Sequence, residues 1–220
     1  MSTRHILLVD DHQIVRDGLR VCLQGNEQYT VVGEAADGLA AIQLAKELKP
    51  DLIVMDVAMP GLNGIEAARE IHAGGCMAKI ICLSMHSDRE FIAEAFRAGV
   101  VGYLIKSSAF KELLYALKEV VAGRKYISPA VTDIIVDNYV LQTPGQSATS
   151  ATPFSVLTSR ERQILQMLAE GRSAKQIGLA LDINHKTVHA FRSQIFEKIG
   201  VDSLPELTKY AIRHGLTTVE

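Results

Sequence analysis

Hydrophobic runs in the first half of the chain are short and separated by polar stretches of similar length. They fall at Ile6–Val9, Val31–Val32, Leu52–Met55, Ile80–Leu83 and Tyr103–Ile105. Each is followed by a segment with apolar residues three and four positions apart, as with Ile92, Ala95 and Phe96 after the fourth. Short apolar runs predict strands, and a 3.6-residue period predicts helices. The third and fourth runs are apolar throughout, as a strand covered on both faces must be. Five strands alternating with helices predict an α/β domain: a five-stranded, doubly wound parallel sheet.

The pattern changes near residue 140. Residues 141–153, LQTPGQSATSATP, carry no charge and are rich in Ser, Thr, Ala and Pro, which predicts a flexible linker. Just before it, Val131, Ile134 and Ile135 predict a connecting helix over 128–139. Beyond the linker only helical periodicity remains, over about Ser159–Glu170, Ala174–Leu181, Lys186–Ile199 and Leu204–His214. The expected organisation is an α/β domain over 1–124, a connector over 125–154 and an all-α four-helix domain over 155–220.

Charge adds a little to this picture. Residues 1–140 carry 14 Lys and Arg against 18 Asp and Glu, and residues 155–220 carry 9 against 7. A slightly basic second half suits a partner that presents phosphates. Cys22, Cys76 and Cys82 are odd in number and have no metal-ligand spacing, so they read as reduced thiols, with Cys82 inside an apolar run. No apolar stretch has the length of a membrane span or a signal peptide, so a cytoplasmic protein without membrane contact is expected.

Candidate chemistry gathers at the ends of the predicted strands. In parallel α/β sheets ligands sit outside the carboxyl ends of the strands. The first strand ends in Asp10-Asp11, the third in Asp56, the fourth in Ser84 and the fifth in Lys106. Carboxylates that repel one another favour a bound divalent cation, and hard oxygen donors suit Mg²⁺. One carboxylate can then attack a phosphoryl group whose oxygens the metal and Lys106 neutralise, with Ser84 as a hydrogen-bond partner. Asp10 and Asp11 can also cap the following helix, and the two roles are compatible. Taken singly, Lys106 would be a solvated lysine and Tyr103 a core aromatic; the constellation sets them apart.

These stretches, LLVDDHQIVRDGL, DLIVMDVAMPGLNGIEAAR, IICLSMH and AGVVGYLIKSS, resemble the receiver domain of two-component response regulators over roughly residues 5–123. The resemblance implies a flavodoxin-like receiver fold in which Asp56 accepts a phosphoryl group. It implies Mg²⁺ held by Asp10, Asp11, Asp56 and the backbone carbonyl of Ala58. It further implies that Ser84 and Lys106 bind the phosphoryl oxygens and that Tyr103 changes rotamer when Ser84 moves. Two positions depart from the commonest pattern: Ser107 stands where many receivers have Pro, and Met85 is bulkier than the frequent Ala or Gly.

In the last third, Leu157-Thr158-Ser159-Arg160-Glu161-Arg162 opens a helix that Thr158 or Ser159 can cap. Ser173 can cap a short helix with apolar Ile177, Leu179 and Leu181, and Asp182-Ile183-Asn184 makes a turn. The helix that follows places Val188, Phe191, Ile195 and Ile199 on one face, opposite Lys186, His189, Ala190, Ser193 and Glu197. Short helix, tight turn and amphipathic helix form the helix-turn-helix plan. The segments LTSRERQILQMLAEGRSAKQIGLAL, KTVHAFRSQIFEKIGV and ELTKYAIRHGL resemble the LuxR-type DNA-binding domain of NarL/FixJ-class regulators. The resemblance implies contacts to double-stranded DNA from Lys186, Thr187, His189, Ala190, Arg192 and Ser193. His189, Phe191 and Arg192 differ from the usual residues of the family, and Arg192 can snorkel along the core edge to a phosphate. His185 and His189 lack the carboxylate or cysteine partners of a metal site.

The combined expectation is a DNA-binding transcription regulator, not an enzyme. A sensor histidine kinase would phosphorylate Asp56, and phosphorylation would favour a DNA-binding homodimer, with RNA polymerase a further candidate partner. Three other readings of these residues stand beside it. The first is a DNA-binding regulator whose receiver is a phosphorylation-independent interaction module. The second is a LuxR-type regulator that senses a small molecule, and an intact acidic cluster argues against both. The third, a phosphatase-like enzyme, needs an acid two residues beyond the nucleophile, where this chain has Ala58.

Overall fold

The computed structural model describes residues 3–85, 89–132 and 156–217. The chain divides into two compact units. In the first, β1 (Arg4–Val9), α1 (Gln13–Leu23), β2 (Tyr29–Ala35), α2 (Gly38–Leu48), β3 (Leu52–Asp56), α3 (Gly64–Ala73), β4 (Lys79–Ser84), α4 (Arg89–Arg97), β5 (Gly102–Ile105) and α5 (Lys106–Val121) alternate as expected. The sheet is parallel throughout, in the order β2-β1-β3-β4-β5-β6.

The sixth strand extends the expected five-stranded sheet. β6 (Tyr126–Ile127) pairs with β5 in the register Gly102↔Tyr126 and Tyr103↔Ile127. Two residues are too few to show an alternating pattern, which is why the hydrophobic profile does not announce this strand. Ser128 and Val131 behind it are fully buried, so the first unit reaches past residue 124 into the stretch expected to be connector. Of the connecting helix expected over 128–139, the first turn is helical through Thr132, and residues 133–139 lie outside the described residues.

Strand residues alternate between the two faces of the sheet. Ile6, Leu8, Leu52, Val54, Ile81, Leu83 and Leu104 pack with Leu19 and Leu23 of α1 and with Leu113, Leu117 and Val120 of α5. The intervening residues Leu7, Val9, Ile53, Met55, Ile80, Cys82 and Tyr103 are equally excluded from solvent, on the opposite face. Each such aliphatic side chain contributes roughly 1.5–3 kcal/mol on burial. Cys82 is buried, as expected, and burial pushes its thiol pKa far up.

The second unit is helical: α6 (Ser159–Ala169), α7 (Ala174–Leu181), α8 (His185–Ile199) and α9 (Leu204–Arg213). Each begins at a polar cap. Thr158 and Ser173 form reciprocal capping boxes with Glu161 and Gln176, Asn184 accepts from the Lys186 amide, and Ser203 accepts from the Glu206 amide. The core joins Ile164, Leu165, Met167 and Leu168 of α6 to Ile177, Val188, Ile195, Leu207 and Ala211. Leu179, read from the sequence with the apolar residues of α7, is instead 86% exposed. Two positions along a helix turn a side chain by about 200°, so Leu179 cannot share the face of Ile177. No described helix is long and apolar enough to cross a membrane.

Candidate functional site

β1 and β3 lie side by side at the point where the strand order reverses, with Val9 opposite Met55. The residues that follow these partners, Asp10 and Asp56, therefore emerge together at the carboxyl edge. Both side chains are almost wholly excluded from solvent, at 0% and 1% exposure. Lys106, the first residue of α5, reaches between them: its Nζ is 2.8 Å from Asp10 Oδ2 and 2.7 Å from Asp56 Oδ2. Asp11 sits at the rim, half-buried.

Two features of the surrounding backbone hold these carboxylates. The His12 amide donates to Asp10 Oδ1 at 2.9 Å, and the Ala58 amide donates to Asp56 Oδ1 at 3.3 Å. Arg16 of α1 donates to the Asp10 carbonyl at 2.5 Å and pairs with Glu34 at 3.2 Å, clamping the end of β1. Beyond Asp56 the chain folds back until α3 meets the strand it left. A Cβ on Gly64 would lie 2.0 Å from the Asp56 carbonyl oxygen, so only glycine fits there. Arg16 and Gly64 were not among the sequence candidates. The signal for Gly64 is the second glycine of DVAMPGLNG; Arg16 has none that is local.

The electrostatics follow from burial. Desolvation and the neighbouring Asp10 charge push the Asp56 pKa up to about 6, against the opposing pull of Lys106. Burial works against the Lys106 ammonium, but the Asp56 and Asp10 charges outweigh it and hold its pKa above the ordinary lysine value. Asp10 Oδ2, Asp11 Oδ1 and Asp56 Oδ2 are buried oxygens that accept no well-directed hydrogen bond, though Lys106 lies in ion-pair contact with the first and third. Such oxygens fit a divalent cation, and Asp10, Asp11, His12 and Asp56 each offer a ligand atom, all within 4.8 Å of one another. His12 was quoted in the sequence motif but not counted as a candidate.

The other predicted residues take these places. Ser84 ends β4, fully buried, opposite Ile105, the last residue of β5, which Lys106 follows at the start of α5. Tyr103 is fully buried in β5, one residue off the face of Leu104. Met85 is 69% exposed.

In the helical unit, α7, the turn and α8 form the helix-turn-helix. Asp182 ends α7 in the left-handed conformation, at φ 52°, and the Ile183 amide closes the turn on the Gly178 carbonyl at 2.9 Å. A Cβ on Gly178 would lie 2.7 Å from the Ile183 carbonyl oxygen, so the turn is built around glycine. On α8, Val188 and Ile195 are buried, with Phe191, Phe196 and Ile199 packed partly against the core. Lys186, Thr187, His189, Ala190 and Ser193 are exposed. Ser193 Oγ donates to the His189 carbonyl at 3.2 Å, leaving the hydroxyl oxygen able to accept. Arg192 is half-buried with its guanidinium 5.0 Å from the Phe196 ring centroid, a cation–π contact at the edge of the core. Lys198 is taken up by Glu161, at 2.7 and 2.8 Å, and is not a free cation on this helix.

Sheet order, acidic edge and helix-turn-helix are those of a receiver-like α/β unit and a helix-turn-helix unit, and comparison with known proteins agrees. Residues 6–118 match the response regulator receiver domain, and residues 155–211 match the bacterial regulatory proteins of the luxR family. The chain is 37% identical over 216 residues to response regulator UvrY of Escherichia coli K12, covering 98% of this chain and 97% of that protein. It is 35% identical over 212 residues to the oxygen regulatory protein NreC of Staphylococcus aureus MRSA252, covering 96% and 98%. Among solved structures, a LuxR-family two-component response regulator from Aurantimonas sp. SI85-9A1 superposes with a TM-score of 0.60 at 43% identity, over 63% of this chain and 99% of that one. The chain belongs to the two-component response regulators of the NarL/FixJ class, with a receiver and a LuxR-type DNA-binding domain.

Proposed function

We propose that a sensor histidine kinase phosphorylates Asp56, and that this modification controls how the LuxR-type domain binds double-stranded DNA. The observation that carries the reading is the convergence of Asp10, Asp11 and Asp56 around one point with Lys106 between two of them. Asp56 is the nucleophile: its carboxylate oxygen forms the bond to phosphorus as the histidine nitrogen of the donor departs. Asp10, Asp11, Asp56 and the Ala58 carbonyl hold Mg²⁺, which when bound offsets charge on the phosphoryl oxygens. Lys106 moves from the carboxylates to a phosphoryl oxygen, and Ser84 donates a hydrogen bond to another. Tyr103, on the strand beside Ser84, follows that movement and carries it to the surface of α4 and β5.

On the DNA side, Lys186 at the N-terminus of α8 meets a phosphate, and Thr187, His189, Ala190 and Ser193 face the major groove. Arg192 lies beside them on the half-buried edge. Residues 1–124 with β6 form the receiver and residues 155–220 the DNA-binding unit. The phosphorylated chain acts as a homodimer in the cytoplasm, with RNA polymerase a further partner.

The test uses the full chain, a small phosphodonor and Mg²⁺, with intact mass, light scattering and DNA affinity read on one sample. Wild type is expected to gain one phosphoryl group only with Mg²⁺, to dimerise and to bind DNA more tightly. Asp56→Asn should do none of these. Phosphorylation of the variant would move the acceptor elsewhere. Phosphorylation that leaves DNA affinity unchanged would favour a receiver that works as an interaction module.

A further inference from the structure

Arginines of the helical unit find acceptors or face water, with one exception. Arg160 donates to the Leu181 carbonyl and to Gln163, Arg162 donates to the Leu157 carbonyl, and Arg172 pairs with Glu170. Arg213 is exposed. Arg192 is half-buried, yet among the described residues its guanidinium meets no carboxylate, carbonyl or hydroxyl acceptor. Five N–H donors at the edge of a core are costly to leave unmatched.

What this guanidinium has is an aromatic platform. Its Cζ stands over the Phe196 ring, 5.0 Å from the centroid. Phe196 lies one turn further along α8, half-buried and packed against the core of the unit. Its backbone is fixed where the helix ends, because its carbonyl accepts the Gly200 and Val201 amides at 2.9 and 3.1 Å. A ring anchored in this way engages the cation through its face and leaves the N–H edges of the fork unused. No acid of the helix takes them up. Glu197 is the one acid of α8, and five positions turn it about 140° away from Arg192. Arg192 itself lies about 60° round the helix from His189, toward the core edge, so it flanks the base-reading face instead of sharing it. The acceptor that suits a flat, charged fork in that place is a phosphate of the DNA backbone.

We propose that Phe196 is a positioning residue for DNA binding: its ring holds the Arg192 guanidinium at the flank of α8 so that the fork meets a backbone phosphate bidentately. This rests on the reading that α8 lies in the groove of DNA. Arg192 then adds affinity that does not depend on sequence, and Phe196 supports it without touching DNA.

The test is the affinity of the full chain for a mixed-sequence duplex over a NaCl series, with a thermal melt of each protein. The proteins are wild type, Arg192→Ala, Arg192→Lys, Phe196→Leu, Phe196→Tyr, the double variant of Arg192→Ala with Phe196→Leu, and Lys186→Ala. Arg192→Ala is expected to bind about tenfold more weakly and to reduce the salt slope by about one. Phe196→Leu should weaken binding about threefold, and in the Arg192→Ala background it should weaken it no further. Phe196→Tyr keeps a ring face and should stay within about twofold of wild type. Arg192→Lys keeps the charge but loses the fork, and should fall about threefold. Equal losses from Phe196→Leu in both backgrounds overturn the inference, because the ring would then act through the fold alone. Wild-type affinity in Phe196→Leu or in Arg192→Lys overturns it too. If the melts show Phe196→Leu unfolded, the remaining variants decide: Arg192→Lys as tight as wild type, or Phe196→Tyr as weak as Arg192→Ala, overturns it. An unchanged salt slope in Arg192→Ala does so as well; where Lys186→Ala still flattens the slope, α8 meets DNA and only the inference fails. Wild type without salt-dependent binding removes the reading of α8 itself.

Discussion

At the scale of single residues, Asp56 is a carboxylate almost wholly removed from water. Burial and the Asp10 charge lift its pKa from the ordinary 3.8 to about 6. Between those values the folded, metal-free chain holds more protons than the unfolded chain, so stability falls as pH rises through that window. A displacement of about two units corresponds to roughly 3 kcal/mol. Asp56→Asn removes the buried charge but also a partner of Lys106, so a net gain of about 1–3 kcal/mol is expected at pH 7.5 in chelator. Near pH 4 the gain should vanish; urea melts at the two pH values check this, and equal differences at both would show that Asp56 is not strained by its charge. On α8 the residues divide by what they can reach. Lys186→Ala should weaken binding to every duplex alike and reduce the salt slope by about one. Replacing His189 or Ser193 should change preference among sites more than non-specific affinity, so an equal loss on a selected and a scrambled site would remove this face from sequence reading. The acids were legible one by one from their positions after apolar runs. The contacts of Lys106 and the displaced pKa of Asp56 were not, because both depend on side chains 46 to 96 positions away.

At the scale of elements, caps and close approaches decide where helices begin. Glu161 closes the capping box of α6 with Thr158 and also holds Lys198 of α8, joining two helices through one carboxylate. Burial pushes its pKa up, but Lys198 and the Thr158 hydrogen bonds outweigh that and keep it below the ordinary glutamate value. Its contribution is therefore present above the ordinary carboxylate range and is lost on acidification. Glu161→Gln should cost the helical unit about 1–3 kcal/mol at pH 7, a difference that shrinks as the pH is lowered; thermal melts at pH 7 and pH 4 test it. At α3 the constraint is steric. Gly64→Ala places a methyl group against the Asp56 carbonyl and should cost about 1–3 kcal/mol or more. The displaced strand end should also raise the Mg²⁺ required for phosphorylation, and an unchanged requirement would separate this turn from the site. Sequence periodicity located the four helices of the second unit to within about a residue at each end, because hydrophobic spacing and cap residues are local signals. It did not tell that Leu179 is exposed, and it had no means of finding β6, whose two residues gain their place only by pairing with β5.

At the scale of the whole molecule, the helical unit has its own core and four capped helices. The fragment from residue 155 onward should fold alone and bind DNA in a salt-dependent manner without phosphate; a folded fragment that binds no duplex would contradict the role given to α8. The charge difference between the halves is too small to have revealed that role, and its signal was the order of short helix, turn and amphipathic helix. The sequence by itself determined the alternation of strands and helices, the separation of an α/β half from a helical half, and the acids at the strand ends. These follow from periods of two and 3.6 residues and from where each apolar run stops, which are properties of neighbouring positions. Only the tertiary structure decided that Lys106 bridges Asp10 and Asp56 and that Glu161 captures Lys198. Those are distances across the sheet edge and between packed helices, set by how the layers close on one another, and no local pattern in the chain encodes them.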